Sequence, residues 1–147
     1  MKLKVKKLHP DAIMPRYATD GAACFDLHAI GIDRQGVRVM PRAPFTFDTG
    51  LAFEVPPGNV MLVFSRSGHG FHSDTRLANC VGVIDSDYRG EVRVRMTSDG
   101  NHDLPVHNGD RIAQAMLVAL PFVHIEQAEE LSTTARGTGG FGSTGAA

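Results

Sequence analysis

The chain has 147 residues, of which 42% are apolar and 21% charged, and its formal net charge is −1. That length supports one domain with its own core, and the composition excludes a wholly disordered chain and a protein built on membrane-spanning helices. A net charge so close to zero also removes any global positive field that would gather nucleic acid or an anionic membrane, so recognition of phosphate has to be local.

Taken in chain order, the N-terminal stretch MKLKVKKLHPDAIMPRY is positively charged but has no apolar run leading to a small-residue cleavage site, which predicts a cytoplasmic protein. Sixteen glycines and eight prolines cut the chain into short runs rich in β-branched and aromatic residues, with no long 3.6-residue periodicity. The predicted strands are Leu3 to Lys7, Cys24 to Ala29, Phe45 to Leu51, Val60 to Phe64, Val81 to Ile84, Glu91 to Met96 and Ile112 to Val118. Joints such as Pro56-Pro57-Gly58-Asn59 and His107-Asn108-Gly109-Asp110 supply the residues that tight turns require. In the EVRVR run, Glu91, Arg93 and Arg95 alternate with Val92 and Val94, so only the valine face belongs to a core. One short helix is predicted from Ser73 or Asp74, as N-cap, towards Ala78, carrying Arg76 outward. Beyond Leu131 the sequence STTARGTGGFGSTGAA has one large apolar side chain and cannot offset its own ordering entropy. The reading is an all-β sandwich or jelly roll over residues 1–131 with a flexible arm over 132–147. The two cysteines, Cys24 and Cys80, sit among apolar and small residues and are expected to be buried free thiols.

Four constellations could carry chemistry. Ser65-Arg66-Ser67-Gly68 follows an apolar strand, and its guanidinium, hydroxyls and accessible backbone N–H groups could cradle an anion, although the same residues also make ordinary solvated loops. Gly82 to Glu91 delivers Asp85, Asp87 and Tyr88 to a glycine-bounded hairpin. There a carboxylate could deprotonate a water and a ring could stack on a sugar or base, with a plain turn as the alternative. In Gly109-Asp110-Arg111-Ile112-Ala113-Gln114 the charged neighbours are expected to pair with each other while Gln114 offers an amide. The run Arg136 to Gly145 reads either as a phosphate-gripping lid or as a linker-like tail, and lacks the strand and lysine of a P-loop. His69 and His72 have no third convergent ligand nearby in sequence, and Ser67, His69 and Asp85 lack the turn context of a nucleophile elbow.

In order, AACFDL, SRSG, GVIDSDYRGE, GDRIAQ and RGTGGFGSTG resemble the five motifs of the trimeric dUTPases, from about Ala18 to Gly145. The resemblance implies a β-clip or jelly-roll-like subunit with one short helix, a homotrimer with sites at subunit interfaces, and hydrolysis of dUTP to dUMP and pyrophosphate with Mg2+. It implies that Asp85 activates water for in-line attack on the α-phosphorus and that Tyr88 packs under deoxyribose. Asn79 and the backbone at Val83 and Ile84 would read uracil, with Arg93 on the same side. Arg66, Ser67 and Gly68 would bind phosphate and Gln114 would lie near the α-phosphate. Arg136, Ser143 and Thr144 would take the γ-phosphate while Phe141 stacks over the base. Asp26 would help to organise the metal-bound triphosphate, the ion being held mainly by phosphates and waters. The sequence departs from the family at Ala23-Cys24, where Ala-Gly is commoner, at His69-Gly70-Phe71, where leucine then alanine is usual, and less sharply from His72 to Leu77. Two other readings are a dCTP deaminase or bifunctional relative, which would usually replace the intact Ser86-Asp87-Tyr88, and a non-catalytic regulatory trimer.

Overall fold

In a computed structural model, which describes residues 1–141 and 143, the chain forms eleven strands and one α-helix. The strands are β1 (Lys4–Lys7), β2 (Phe25–His28), β3 (Val37–Val39), β4 (Phe45–Phe47), β5 (Leu51–Glu54) and β6 (Asn59–Phe64). After α1 (Ser67–Ser73) come β7 (Thr75–Leu77), β8 (Val81–Ile84), β9 (Val94–Ser98), β10 (Leu104–Val106) and β11 (Arg111–Ala119). All ladders between them are antiparallel: a four-stranded sheet ordered β2-β11-β6-β8, a three-stranded sheet ordered β4-β9-β7, and the pairs β1-β5 and β10-β3. No helix among the described residues is long and apolar enough to cross a membrane.

The core forms where the inner faces of these sheets meet. Leu27, Met61, Val63, Ile112 and Ala115 come from the four-stranded sheet, Phe47, Leu77, Val94 and Met96 from the three-stranded one, and Leu51 and Phe53 from β5. Strands whose residues are buried in succession, such as Asn59-Val60-Met61 and Ile112-Ala113, coincide with continuous apolar runs, which makes them predictable from residue type. The alternation in Glu91 to Arg95 is also realised: Val92 and Val94 are buried while Arg93 and Arg95 are exposed.

Several expectations need correction. The predicted strand Phe45 to Leu51 is two strands, because Gly50 takes φ 65° and its N–H donates to Glu91 Oε1 at 2.6 Å, turning the chain between sheets. An added Cβ there would meet Ile30 Cδ1 at 2.6 Å, so the turn demands glycine. The strand expected from Glu91 begins at Val94, Glu91 making only an isolated bridge to Ala52. The helix lies before the predicted N-cap: it runs Ser67–Ser73, and Asp74 ends it in the left-handed conformation at φ 46°. Aspartate tolerates that conformation as readily as it caps a start, so residue type alone does not fix the direction. Residues 75–77, expected in the helix, are a strand. Cys80 is exposed and Cys24 only partly covered, so neither thiol is buried as expected. Beyond Ala119 there is no further strand among the described residues, and residues 121–138 are exposed.

Candidate active site

The hairpin motif lies at the sheet's edge. β8 pairs with β6 from Phe64↔Val81 to Met61↔Ile84, and its outer edge carries no partner among the described residues. Gly82 packs against Val63, where an added Cβ would stand 3.1 Å from the valine Cβ, so the strand lies close on its neighbour. Along it runs a groove of about 420 Å3 lined by Asn79, Val83, Ile84, Arg93 and Arg95, among others. A second depression of about 320 Å3 shares Val83, Ile84, Val92 and Arg93 with the first and adds Asp85, Tyr88 and Glu91. Asn79, Val83, Ile84, Arg93, Asp85 and Tyr88 are therefore brought into one continuous trough. Asp85 is exposed and forms no ion pair among the described residues. Tyr88 is folded back, its N–H donating to Asp85 O at 3.3 Å and its hydroxyl to Glu91 O at 3.0 Å.

The second motif directly follows β6, the neighbour of β8. Arg66 caps the start of α1, its carbonyl accepting the N–H groups of His69 and Gly70 at 3.1 and 3.2 Å. Its Nε donates to Asp26 Oδ1 at 3.1 Å, and Arg111 Nη1 donates to Asp26 Oδ2 at 3.2 Å, so one carboxylate holds two guanidiniums. Asp110 and Arg111, expected to pair, do not. Asp110 accepts the backbone N–H of His107 at 2.7 Å and closes the turn, while Arg111 reaches across the β2–β11 ladder, whose register places Gln114 opposite Asp26. Gln114 Nε2 donates to Ser65 O at 3.0 Å, fixing the strand that delivers Arg66 and leaving its carbonyl oxygen without a protein partner among the described residues. Ser67 and Gly68 are exposed at the first turn, with open space around Gly68.

Beside this knot His69 is half-buried, and its Nδ1 is covered without a hydrogen-bond partner. Burial holds its pKa below the usual imidazole value, and the Arg66 cation pushes the same way. His28, two residues from Asp26, is likewise lowered, first by burial. The Cys24 thiol is raised by burial and then by Asp26.

The Asp85 end of the trough lies away from the knot. Through the register Asp26↔Gln114↔Phe64↔Val81, Asp26 is level with the start of β8, three strand spacings or about 14 Å away at roughly 4.8 Å per step. Asp85 lies four residues further along, about 13 Å at roughly 3.3 Å per residue. The arm residues join neither group. Arg136 Nε donates to Gly139 O at 2.8 Å, Ser143 N–H to Gly140 O at 3.0 Å, and Phe141 projects into solvent. Thr144 lies outside the described residues. Sequence reasoning missed three residues that line or hold these places. Arg111 shares Asp26 with Arg66, Glu91 lines the trough, and Arg95 stands beside Arg93. For Arg95 the signal was present, since it lies on the same face of the EVRVR alternation as Arg93.

A dUTPase family model matches residues 10–145. The chain belongs to the dUTPase family. It is 43% identical over 145 residues to the deoxyuridine 5'-triphosphate nucleotidohydrolase of Nautilia profundicola, covering 99% of each chain. Its fold is shared with a mutant dUTPase of Staphylococcus bacteriophage 80alpha solved with dUpNHpp, at a TM-score of 0.84, 26% identity and 98% coverage of both chains. A dUTPase from phage phi11 of S. aureus, described as coordinating a structural Mg(II) ion, shares the fold at a TM-score of 0.77 and 21% identity, covering 88% of this chain and 98% of that one. The mostly β architecture with a single short helix is thus a dUTPase fold.

Proposed function

We propose that the chain is a homotrimeric dUTPase that hydrolyses dUTP to dUMP and pyrophosphate, removing dUTP from the nucleotide pool. The observation that carries this reading is the single trough that holds Asn79 towards one end and Asp85 with Tyr88 at the other. Uracil reads against Asn79 and the backbone of Val83 and Ile84, with Arg93 at its side, and a cytosine amino group or thymine methyl is rejected because it leaves polar groups unpaired. The ring of Tyr88 packs against deoxyribose where a 2′-hydroxyl has no room. Asp85 takes a proton from a water whose oxygen attacks the α-phosphorus, and pyrophosphate leaves from the opposite side. Arg66, Ser67 and Gly68 hold phosphate oxygens, with Gln114 near the α-phosphate.

A trimer is supported by two features of the isolated chain. The Asp85 end of the trough and the knot are carried by different strands, so neighbouring copies that brought one chain's trough against another's knot would place a single nucleotide on both. The segment after β11 leaves Phe122 97% exposed and Ile125 91% exposed, large apolar surface that a partner subunit would cover. In this reading residues 1–131 are the body and 132–147 the arm, which closes a site with Arg136, Ser143 and Thr144 on the γ-phosphate and Phe141 over the base.

Magnesium fits as an ion carried on the substrate. Among the described residues no group of three or more His, Cys, Asp or Glu is placed to hold a metal, and both oxygens of Asp26 are turned to guanidiniums. Phosphates and waters would supply most ligands, with Asp26 acting indirectly, and the ion would neutralise triphosphate charge. The partly uncovered, unpaired thiols of Cys24 and Cys80 suit a reducing cytoplasm.

The test is to incubate the protein with magnesium and dUTP or dCTP and follow pyrophosphate and base identity. Pyrophosphate from dUTP without deamination of dCTP is expected. Asp85→Asn is expected to lose nearly all turnover while still binding nucleotide, because it removes a base and keeps the shape. Undiminished turnover in that variant, or solvent oxygen-18 found in pyrophosphate rather than dUMP, would refute the assignment.

A further inference from the structure

We infer that Gly90 and Glu91 set the pose of the Tyr88 ring, and thereby the discrimination between deoxyribose and ribose; the inference rests on the dUTPase reading of the trough. Tyr88 lies in the turn after β8, outside the strand, and is 44% exposed. What fixes it is the main chain three residues on, where its hydroxyl donates to Glu91 O at 3.0 Å. The ring can lie across that turn only because position 90 has no side chain. A Cβ on Gly90 would overlap the Tyr88 hydroxyl and stand 2.6 Å from Cζ. Both are atoms at the far end of a movable side chain, so the ring would yield while the backbone stayed.

Glu91 is in turn fastened to the body of the fold. Its Oε1 accepts the Gly50 N–H at 2.6 Å, and Glu91 bridges Ala52. The next residue adds two bonds: Val92 N–H donates to Leu51 O at 2.9 Å, and Val92 O accepts the Thr49 hydroxyl at 2.6 Å. The acceptor for the tyrosine hydroxyl is therefore anchored by the Glu91 carboxylate together with the Val92 N–H, the carboxylate reaching a turn that itself tolerates only glycine at residue 50. Glu91 is a positioning residue: its carboxylate fixes the backbone and its carbonyl fixes the ring. Steric rejection of one hydroxyl depends on where the ring stands, and a shift on the order of 1 Å is enough to relax it.

The experiment compares kcat/KM for dUTP and for UTP in the wild type, Gly90→Ala, Glu91→Gln and Glu91→Ala, with thermal melts of each. Gly90→Ala and Glu91→Ala are expected to lower the dUTP:UTP ratio about tenfold or more, whereas Glu91→Gln, which keeps an oxygen for the Gly50 N–H, retains it. A Gly90→Ala protein that melts like the wild type with an unchanged ratio overturns the inference, as does loss of the ratio in Glu91→Gln equal to that in Glu91→Ala. Should Gly90→Ala fail to fold, the two Glu91 variants decide alone. A wild type that does not hydrolyse dUTP at all would instead sink the underlying assignment.

Discussion

Replacing Asp26 by asparagine separates two roles that the carboxylate could play. Its side chain is 13% exposed and is shared by Arg66, 25% exposed, and Arg111, 48% exposed. The bond to Arg66 is the more sheltered one, and losing a charge-assisted hydrogen bond of that kind costs about 1.5–3 kcal/mol. The bond to half-exposed Arg111 is screened and adds at most about 1 kcal/mol. Asparagine keeps one carbonyl oxygen and so retains part of one bond, which puts the net loss at about 2–3 kcal/mol. For a chain of this size that lowers Tm by roughly 5–10 °C, measured by calorimetry at fixed protein concentration because an oligomer's Tm depends on it. Arg66 is freed at the same time, so kcat/KM for dUTP is expected to fall about tenfold or more. Raising magnesium should not restore it. An unchanged Tm together with activity recovered at high magnesium would show that Asp26 serves the ion and not the arginines, and would refute this account of the knot.

Burial and exposure set two further outcomes. Removing everything after Ala135 takes away described residues that are exposed or, at Gly139 and Gly140, only partly covered, so Tm should hold within about 2 °C while kcat for dUTP drops by roughly a hundredfold or more. A truncated chain that unfolds, or one that keeps full activity, would contradict the arm's proposed part. His28 and His69 are held below their usual value of 6.5 in the folded chain. Between those lowered values and 6.5 the unfolded chain binds more protons, so stability rises with pH in that window. Tm is expected to fall on acidification from about pH 7 to about pH 5.5, and His69→Gln should flatten the fall. A Tm independent of pH there would count against the covered, unpartnered imidazoles.

How much the sequence discloses depends on how local the determining interactions are. β6 and β11 are apolar runs whose own residues report their burial, and β8 is an apolar run legible as a strand although Val81 and Val83 face solvent. β3 and β10 are three residues each, and Pro105 within Leu104-Pro105-Val106 argues against a strand until its partner is known. The trough is legible through motif order because Asn79 to Glu91 is contiguous in sequence. The knot is not, since Arg111 and Asp26 are 85 residues apart and nothing near Arg111 shows that a register across β2 and β11 takes its charge away from Asp110. Likewise Glu91 looks like one charge in an alternating strand until Gly50, 41 residues away, supplies the N–H it holds.

The exposed edge of β8 has a cost unrelated to catalysis. An open strand showing Val81 and Val83 to solvent is a template on which another chain could stack, and the features that discourage this are the negative charges just beyond it, Asp85 and Asp87. The carboxylate proposed to activate water would thus also act as an aggregation gatekeeper. Preparations in which Asp85 is neutralised should be the least soluble of any single substitution in the trough.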